Sequence, residues 1–327
     1  SNGATFKVGD DSGKTSTQFG YLLYTFEKGT AEGTLKVTEK LNVDVSLKDF
    51  ITANDKGVLV DTYSFANNET LSEAITTGAA KDTYAIGMNG KNLTGNGNGG
   101  ITVANGNTLT VDGNGGTISD FSTALTNNGT LTLNNVNFSR NTTDGSNTGI
   151  LNLLGENTFG SKITGTTGTV TNTGTLNISA NNLDVALTNN GTLVTDGNLN
   201  HLSTLTNNGT VQIATNKTLD VTNDYTLGGT LDLNNATLNM QEQGETPVYS
   251  TLTVNTLKGT GNLLIDAALT QKKADNIVYS AVDNAVINLT NINVREGFTT
   301  HTTDAQDNYL LVLDGSGAEF KINGSTE

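Results

Sequence analysis

An eight-residue frame, T-N-x-G-T-L-x-L, recurs along this chain and limits its possible folds more than any other feature. It reads TNNGTLTL at 126–133, TNTGTLNI at 171–178, TNNGTLVT at 188–195 and TNNGTVQI at 206–213. Looser copies start at 104, 146, 226 and 247, so successive starts lie 22, 20, 25, 17, 18, 20 and 21 residues apart. A repeat of about 20 residues marks an architecture that stacks one unit on the next. Within the frame, Thr130 and Thr132 alternate with Leu131 and Leu133, the period-two pattern of a half-buried strand. The Asn-Gly before it supplies a turn. No long 3.6-residue pattern separates the copies, so helical crossovers are absent. The helical back that a leucine-rich repeat needs is missing with them. A strand that meets its own copy one period later, with no helix between, coils into a solenoid.

The expected fold is therefore all-β, a parallel β-helix with about 20 residues per rung and three faces per turn. Rungs ~4.8 Å apart make a rod of roughly 55–75 Å. One inner column is expected to run Leu109, Leu131, Leu151, Leu176, Leu193, Val211, Leu231, Leu252. A second runs Val111, Leu133, Leu153, Ile178, Thr195, Ile213, Leu233, Val254, with a bulge at Thr195 turning Val194 inward. Asn105, Asn127, Asn147, Asn172, Asn189 and Asn207 share one frame position. They are candidates for a ladder of amides bonded from rung to rung, the simpler reading being that Asn favours the turn. Outward positions form a candidate contact stripe of Thr108, Thr130, Thr175, Thr192, Thr210 and Thr230, with Thr132, Asn152, Asn177 and Gln212 beside it. Such a flat, nearly uncharged face can dock on a copy of itself. Thr is also simply a good exposed strand residue.

The ends of a solenoid need covering, because an open rung is an exposed sheet edge. Leu71, Ala74 and Ile75 in NNETLSEAITTG (67–78) share a helical face behind a capping Asn67 or Asn68, so a short capping helix is expected there. The chain then divides into 1–66, either early rungs or a small β module, 67–290, the regular β-helix, and 291–327, a C-terminal β segment around Leu310, Val312 and Phe320.

Composition removes several function classes. The chain has no Cys, which excludes a disulfide framework, a thiolate metal site and a Cys nucleophile. A net charge of −15 disfavours nucleic acid and anionic membrane surfaces. No apolar run of about 18 residues is present, so no direct membrane insertion by a helix is expected. Thr (57), Asn (45) and Gly (38) dominate the composition, but the regular apolar positions argue against low-complexity disorder. No signal peptide is visible, and Ser1-Asn2 reads as a scar of tag removal from an excised fragment.

Candidates for chemistry are thin. A polysaccharide lyase on this scaffold would need a basic residue beside acids that hold calcium; the arginines are Arg140 and Arg295, and Arg140 reads as a solvated charge at a turn. A hydrolase needs paired carboxylates. Asp220 with Asp232, or with Asp224, is the nearest approach to a pair. His201 and His301 lie in no spaced metal motif, and Asp10-Asp11 lacks the acid spacing of a calcium loop. GNGNGG at 95–100 has no following Lys-Ser/Thr and is not a phosphate loop. No catalytic residue, cofactor or metal is expected.

The stretch from Asn67 to about Leu269 resembles the β-helical passenger regions of bacterial autotransporter adhesins and related haemagglutinins. The TNNGTLTL-type frames carry the resemblance, with LTGNGNGGITVANGNTLTVDG (93–113) and NNETLSEAI before it. One F-x-x-N, Phe138 to Asn141, matches a motif of chlamydial polymorphic membrane proteins, without its G-G-A-I companion. The resemblance implies a right-handed coil and a secreted fragment at the Gram-negative cell surface. It implies anchoring in the outer membrane through a region outside this chain, since no barrel strands are visible before Glu327. It implies a non-enzymatic adhesin that binds itself, or a host surface protein or glycan. A passive stalk is the main alternative, then a carbohydrate-active β-helix enzyme. The T-x-T pairs at 108/110, 130/132 and 251/253 also raise an ice-binding lattice, which the intervening rungs break.

Overall fold

A computed structural model describes residues 6–7, 24–28, 34–40, 45–54, 60, 62–122, 125–139, 145–160, 162–178, 183–196, 205–242, 244, 248–268, 271–294 and 312–322. Strands Phe6–Lys7, Tyr24–Lys28 and Thr34–Lys40 make an antiparallel sheet with the third in the middle. From Thr62 onward the chain coils through parallel strands in three series per turn, the fold class the frame dictates.

The first face stacks Thr62–Ser64, Thr83–Gly87, Thr108–Asp112, Thr130–Asn134 and Ile150–Leu154. It continues through the ends of Ile163–Asn172 and Leu183–Asn189 to Leu205–Asn207. The second face runs from Glu69–Thr70 through Leu93–Thr94, Thr117–Ser119, Asn137–Phe138 and Glu156–Phe159. It goes on to Thr175–Ile178, Thr192–Thr195, Thr210–Ile213 and Thr230–Asp232. The third face includes Ala74–Thr76, Gly100–Val103, Thr126–Asn127 and Gly145–Asn147. In later turns the pairing runs on around the corners, so Thr251–Ala268 meets Tyr225–Thr226, Thr230–Asp232 and Thr237–Asn239 in turn, and it pairs with Asn276–Val294 along most of its length. Leu313–Asp314 and Glu319–Ile322 add in parallel to Asn276–Val294.

Period two explains the core. On Thr130–Asn134, Leu131 and Leu133 are buried while Thr130, Thr132 and Asn134 are partly exposed. Each buried Leu contributes about 1.5–3 kcal/mol, and each stacks on its equivalents above and below. Phe138 lies edge-on to Phe159 in the next rung, with ring centroids 5.8 Å apart.

The frame does not keep to one face, which corrects the single inner columns expected above. Leu109, Leu131 and Leu151 stack as predicted, but Leu151 then meets Val170. Leu176 pairs instead with Asn157 on the second face and continues to Leu193, Val211 and Leu231. The change falls in the 25-residue interval between frame starts 146 and 171. That interval exceeds one turn by about the length of a short strand and its corner. Leu231 next meets Leu257, while Leu252 pairs with Tyr225 and Ile277. No bulge occurs at Thr195. It is buried, in register between Ile178 and Ile213, and Val194 faces outward, half-buried.

The capping helix is also elsewhere. Residues 67–78 form strands Glu69–Thr70 and Ala74–Thr76. Their backbone groups pair with the next rung, and Asn68 accepts from Asn92 N (2.9 Å) instead of capping a helix. A ladder to a fixed neighbour outweighs a short segment's helical preference. The helix is α1, Leu47–Ile51, with Ser46 as N-cap accepting from Asp49 N at 3.0 Å. Leu47, Phe50 and Ile51 are buried, and Phe50 stands edge-on to Tyr84 at 5.8 Å.

Candidate functional site

Five of the six frame asparagines form two separate stacks. Asn127 Nδ2 donates to Asn147 Oδ1 (2.7 Å) and to Ile150 O (2.9 Å), at the corner between the third and first faces. Asn172 Nδ2 donates to Asn189 Oδ1, and Asn189 Nδ2 to Asn207 Oδ1, both at 2.8 Å, at the corner between the first and second faces. The same amides reach Thr192 O (3.0 Å) and Thr210 O (2.9 Å). The Gly of the frame belongs to this geometry: a Cβ on Gly191 would overlap Gly174 O, and one on Gly209 would overlap Gly191 O. Each stack begins on an aliphatic residue, Asn127 above Val103 and Asn172 above Leu153. Neither aliphatic can donate, so Asn127 Oδ1 and Asn172 Oδ1 are buried without a partner. Asn105 is in neither stack. It is exposed in a turn, and the neighbouring Asn107 is buried instead, donating to Thr77 Oγ1 (2.9 Å).

The expected contact stripe is likewise divided. Thr108, Thr130, Thr132 and Asn152 lie outward on the first face. Thr175, Thr192, Thr210 and Thr230, with Asn177 and Gln212, lie outward on the second. The first-face stripe gains members the sequence did not point to. Thr132 and Asn152 continue into Thr171, Thr188 and Thr206. Ile150 (49% exposed) and Leu154 (41%) stand in its middle. The second-face stripe becomes charged as it proceeds. Gln212 Nε2 donates to Asp232 Oδ2 (3.1 Å), which faces Lys258 Nζ at 3.6 Å.

The acids considered for catalysis are built into links between rungs. Asp220 Oδ1 accepts from Asn239 Nδ2 (2.8 Å), and Asp224 Oδ1 from Thr251 N (2.8 Å). Among the described residues no group of three or more His, Asp or Glu is placed to hold a metal. Asp10, Asp11, Arg140, Asn141, His201, Arg295 and His301 lie outside the described residues.

Sequence reading missed one ionisable site. Asp275 is fully buried beside an antiparallel turn in which Ala267 pairs with Ala274 and Ala268 with Lys273. It accepts from Ser250 N and Asp266 N, both at 2.6 Å. Burial pushes its carboxyl up to about 7 against those two hydrogen bonds, with the Asp266 and Glu242 carboxylates adding to the rise. No spacing rule marks such a group, because its burial follows from how the long strands fold back.

A stacked three-faced coil with outward Thr and Asn and inward aliphatics defines a parallel β-helix. Residues 229–326 match the family model described as Pertactin, which adds a comparison to the resemblance carried by the frames. No curated protein and no solved structure matches the chain. Among the described residues no helix is long and apolar enough to cross a membrane.

Proposed function

We propose that this chain is a non-enzymatic adhesive module of a bacterial surface protein, joining a second copy of itself through the first face. The observation that carries this reading is the outward row Thr110, Thr132, Asn152, Thr171, Thr188, Thr206, which holds no charge over six successive rungs. Two molecules of net charge −15 repel over most of their surfaces. They can approach closely where charge is locally absent and where hydroxyls and amides offer both donors and acceptors. Exposed Ile150 and Leu154 add apolar area to the same face. The engagement of Asp220 and Asp224 in structural links supports a non-catalytic role. The family match supports placement at the cell surface, with outer-membrane anchoring by a region beyond this chain as part of the proposal.

Sedimentation velocity over a wide concentration range tests it. Concentration-dependent dimers are expected. Thr130→Lys with Thr132→Lys should abolish them, whereas Thr192→Lys with Thr210→Lys, on the other face, should not. A monomer at the highest concentration defeats self-association and leaves a passive stalk or a host ligand.

A further inference from the structure

The corner between the first and second faces opens into a cleft of about 480 Å³ on the rungs of residues 114, 135 and 156. Its walls are Asn114, Asn135, Asn137, Glu156 and Thr158, over a floor of buried Val136. Asn114 (φ 47°) and Asn135 (φ 53°) hold left-handed corner positions, which asparagine tolerates better than other side chains except glycine. The corners are locked to each other: Gly115 N donates to Asn135 O, and Glu156 N to Asn135 Oδ1, both at 2.8 Å. The walls are thus set by the coil before any ligand arrives.

Several groups on these walls have unused capacity. Glu156 Oε1 accepts from Asn177 Nδ2 at 3.2 Å, and its Oε2 has no partner among the described residues. The Asn114 amide and the Thr158 hydroxyl make no side-chain hydrogen bond among them either. The cleft therefore presents a carboxylate oxygen, a primary amide and a hydroxyl within a small, rigid, polar space. Adjacent hydroxyls of a pyranose fit this set, because each both donates to a carboxylate and accepts from an amide. An anionic ligand does not fit, since no Lys or Arg lines the cleft and Glu156 repels it. One carboxylate is too few for a divalent cation.

We propose that this cleft binds the vicinal-diol edge of a neutral pyranose at the end of a surface glycan. The inference rests on reading the rod as an adhesive surface, but not on its self-association. No aromatic ring lines the cleft, so affinity is weak, on the order of millimolar. Multiple copies on a cell surface raise it by avidity.

The test is a titration of the ¹⁵N-labelled chain followed through its side-chain amide resonances. The probes are methyl β-galactopyranoside, methyl α-mannopyranoside, the methyl glycoside of N-acetylglucosamine, and sialyllactose. At least one neutral glycoside should shift the Asn114 and Asn137 amides saturably, and sialyllactose should bind more weakly than that glycoside. Glu156→Ala should weaken binding about tenfold. Asn114→Gly, which tolerates the same φ, should weaken it while the thermal melt stays unchanged. Absence of saturable shifts with all three neutral glycosides overturns the proposal. So does equal binding of sialyllactose, or shifts that survive when Glu156→Ala and Asn114→Gly are combined. Sedimentation of the same samples separates the two ideas. Dimers without sugar shifts sink the cleft alone, and sugar shifts without dimers sink self-association alone.

Discussion

Asn189 is buried between two other asparagines, donating upward to Asn207 and accepting from Asn172. Its amide replaces a leucine-sized core contact with hydrogen bonds that have only one register. Asn189→Ala should cost about 2–4 kcal/mol, because it orphans the Asn172 donor and the Asn207 acceptor together; urea unfolding measures it. Replacing the exposed Asn105 should cost far less, since it contacts neither stack. Asp275 predicts a pH effect of unusual sign. Its folded carboxyl titrates near 7, well above the ordinary carboxylate range. Between about pH 4 and pH 7 the folded chain keeps a proton that the unfolded chain has lost, so this group's contribution to stability falls as pH rises through that window. Asp275→Asn should destabilise the fold, by removing one acceptor for a backbone N–H, and should flatten this part of the profile. Denaturant midpoints at pH 5 and pH 8, compared between the two chains, measure the difference. An unchanged difference sinks the assignment.

At the scale of elements, the five-residue helix α1 is too short to hold by itself. It persists because Phe50 and Ile51 are buried and Gly78 N donates to Ile51 O at 3.0 Å. Phe50→Ala should cost about 3–5 kcal/mol and uncover the Tyr84 ring, which tyrosine fluorescence and protease sensitivity near residue 80 would register. Strands and corners were legible in the sequence, because period two and Asn-Gly act locally. The location of the cap was not. Leu71, Ala74 and Ile75 satisfy a helical spacing, but Leu71 and Ile75 also satisfy a strand that turns a corner between them, with Ala74 left exposed. The neighbouring rung, which has no local sequence signature, decides between these. The cleft was illegible for the same reason. Asn114, Asn135 and Glu156 lie about 20 residues apart and carry no shared motif.

For the whole molecule, charge and shape act together. A rod of net charge −15 that associates through an uncharged row is opposed by long-range repulsion and held by short-range contacts. Its dimerisation should therefore tighten as salt rises from about 10 mM to 150 mM, where the Debye length falls from roughly 30 to 8 Å. Association through opposite charges, such as the Asp232–Lys258 end of the second face, would weaken instead. Sedimentation at the two salt concentrations distinguishes the faces without any substitution.

By itself the sequence determined that this chain coils, with what period, and with which residues inward. Those properties follow from alternation along single strands and from turns of a few residues. The frame T-N-x-G-T-L-x-L specifies a corner followed by a strand. It does not say which corner, because the same local geometry fits two of them, as the Asn127 and Asn172 stacks show. Tertiary structure alone decided that. The lengths of the intervals accumulate around the coil, and five extra residues before Asn172 carry the frame to the next face. One asparagine ladder became two, and one polar stripe became an uncharged row on the first face and a charged one on the second.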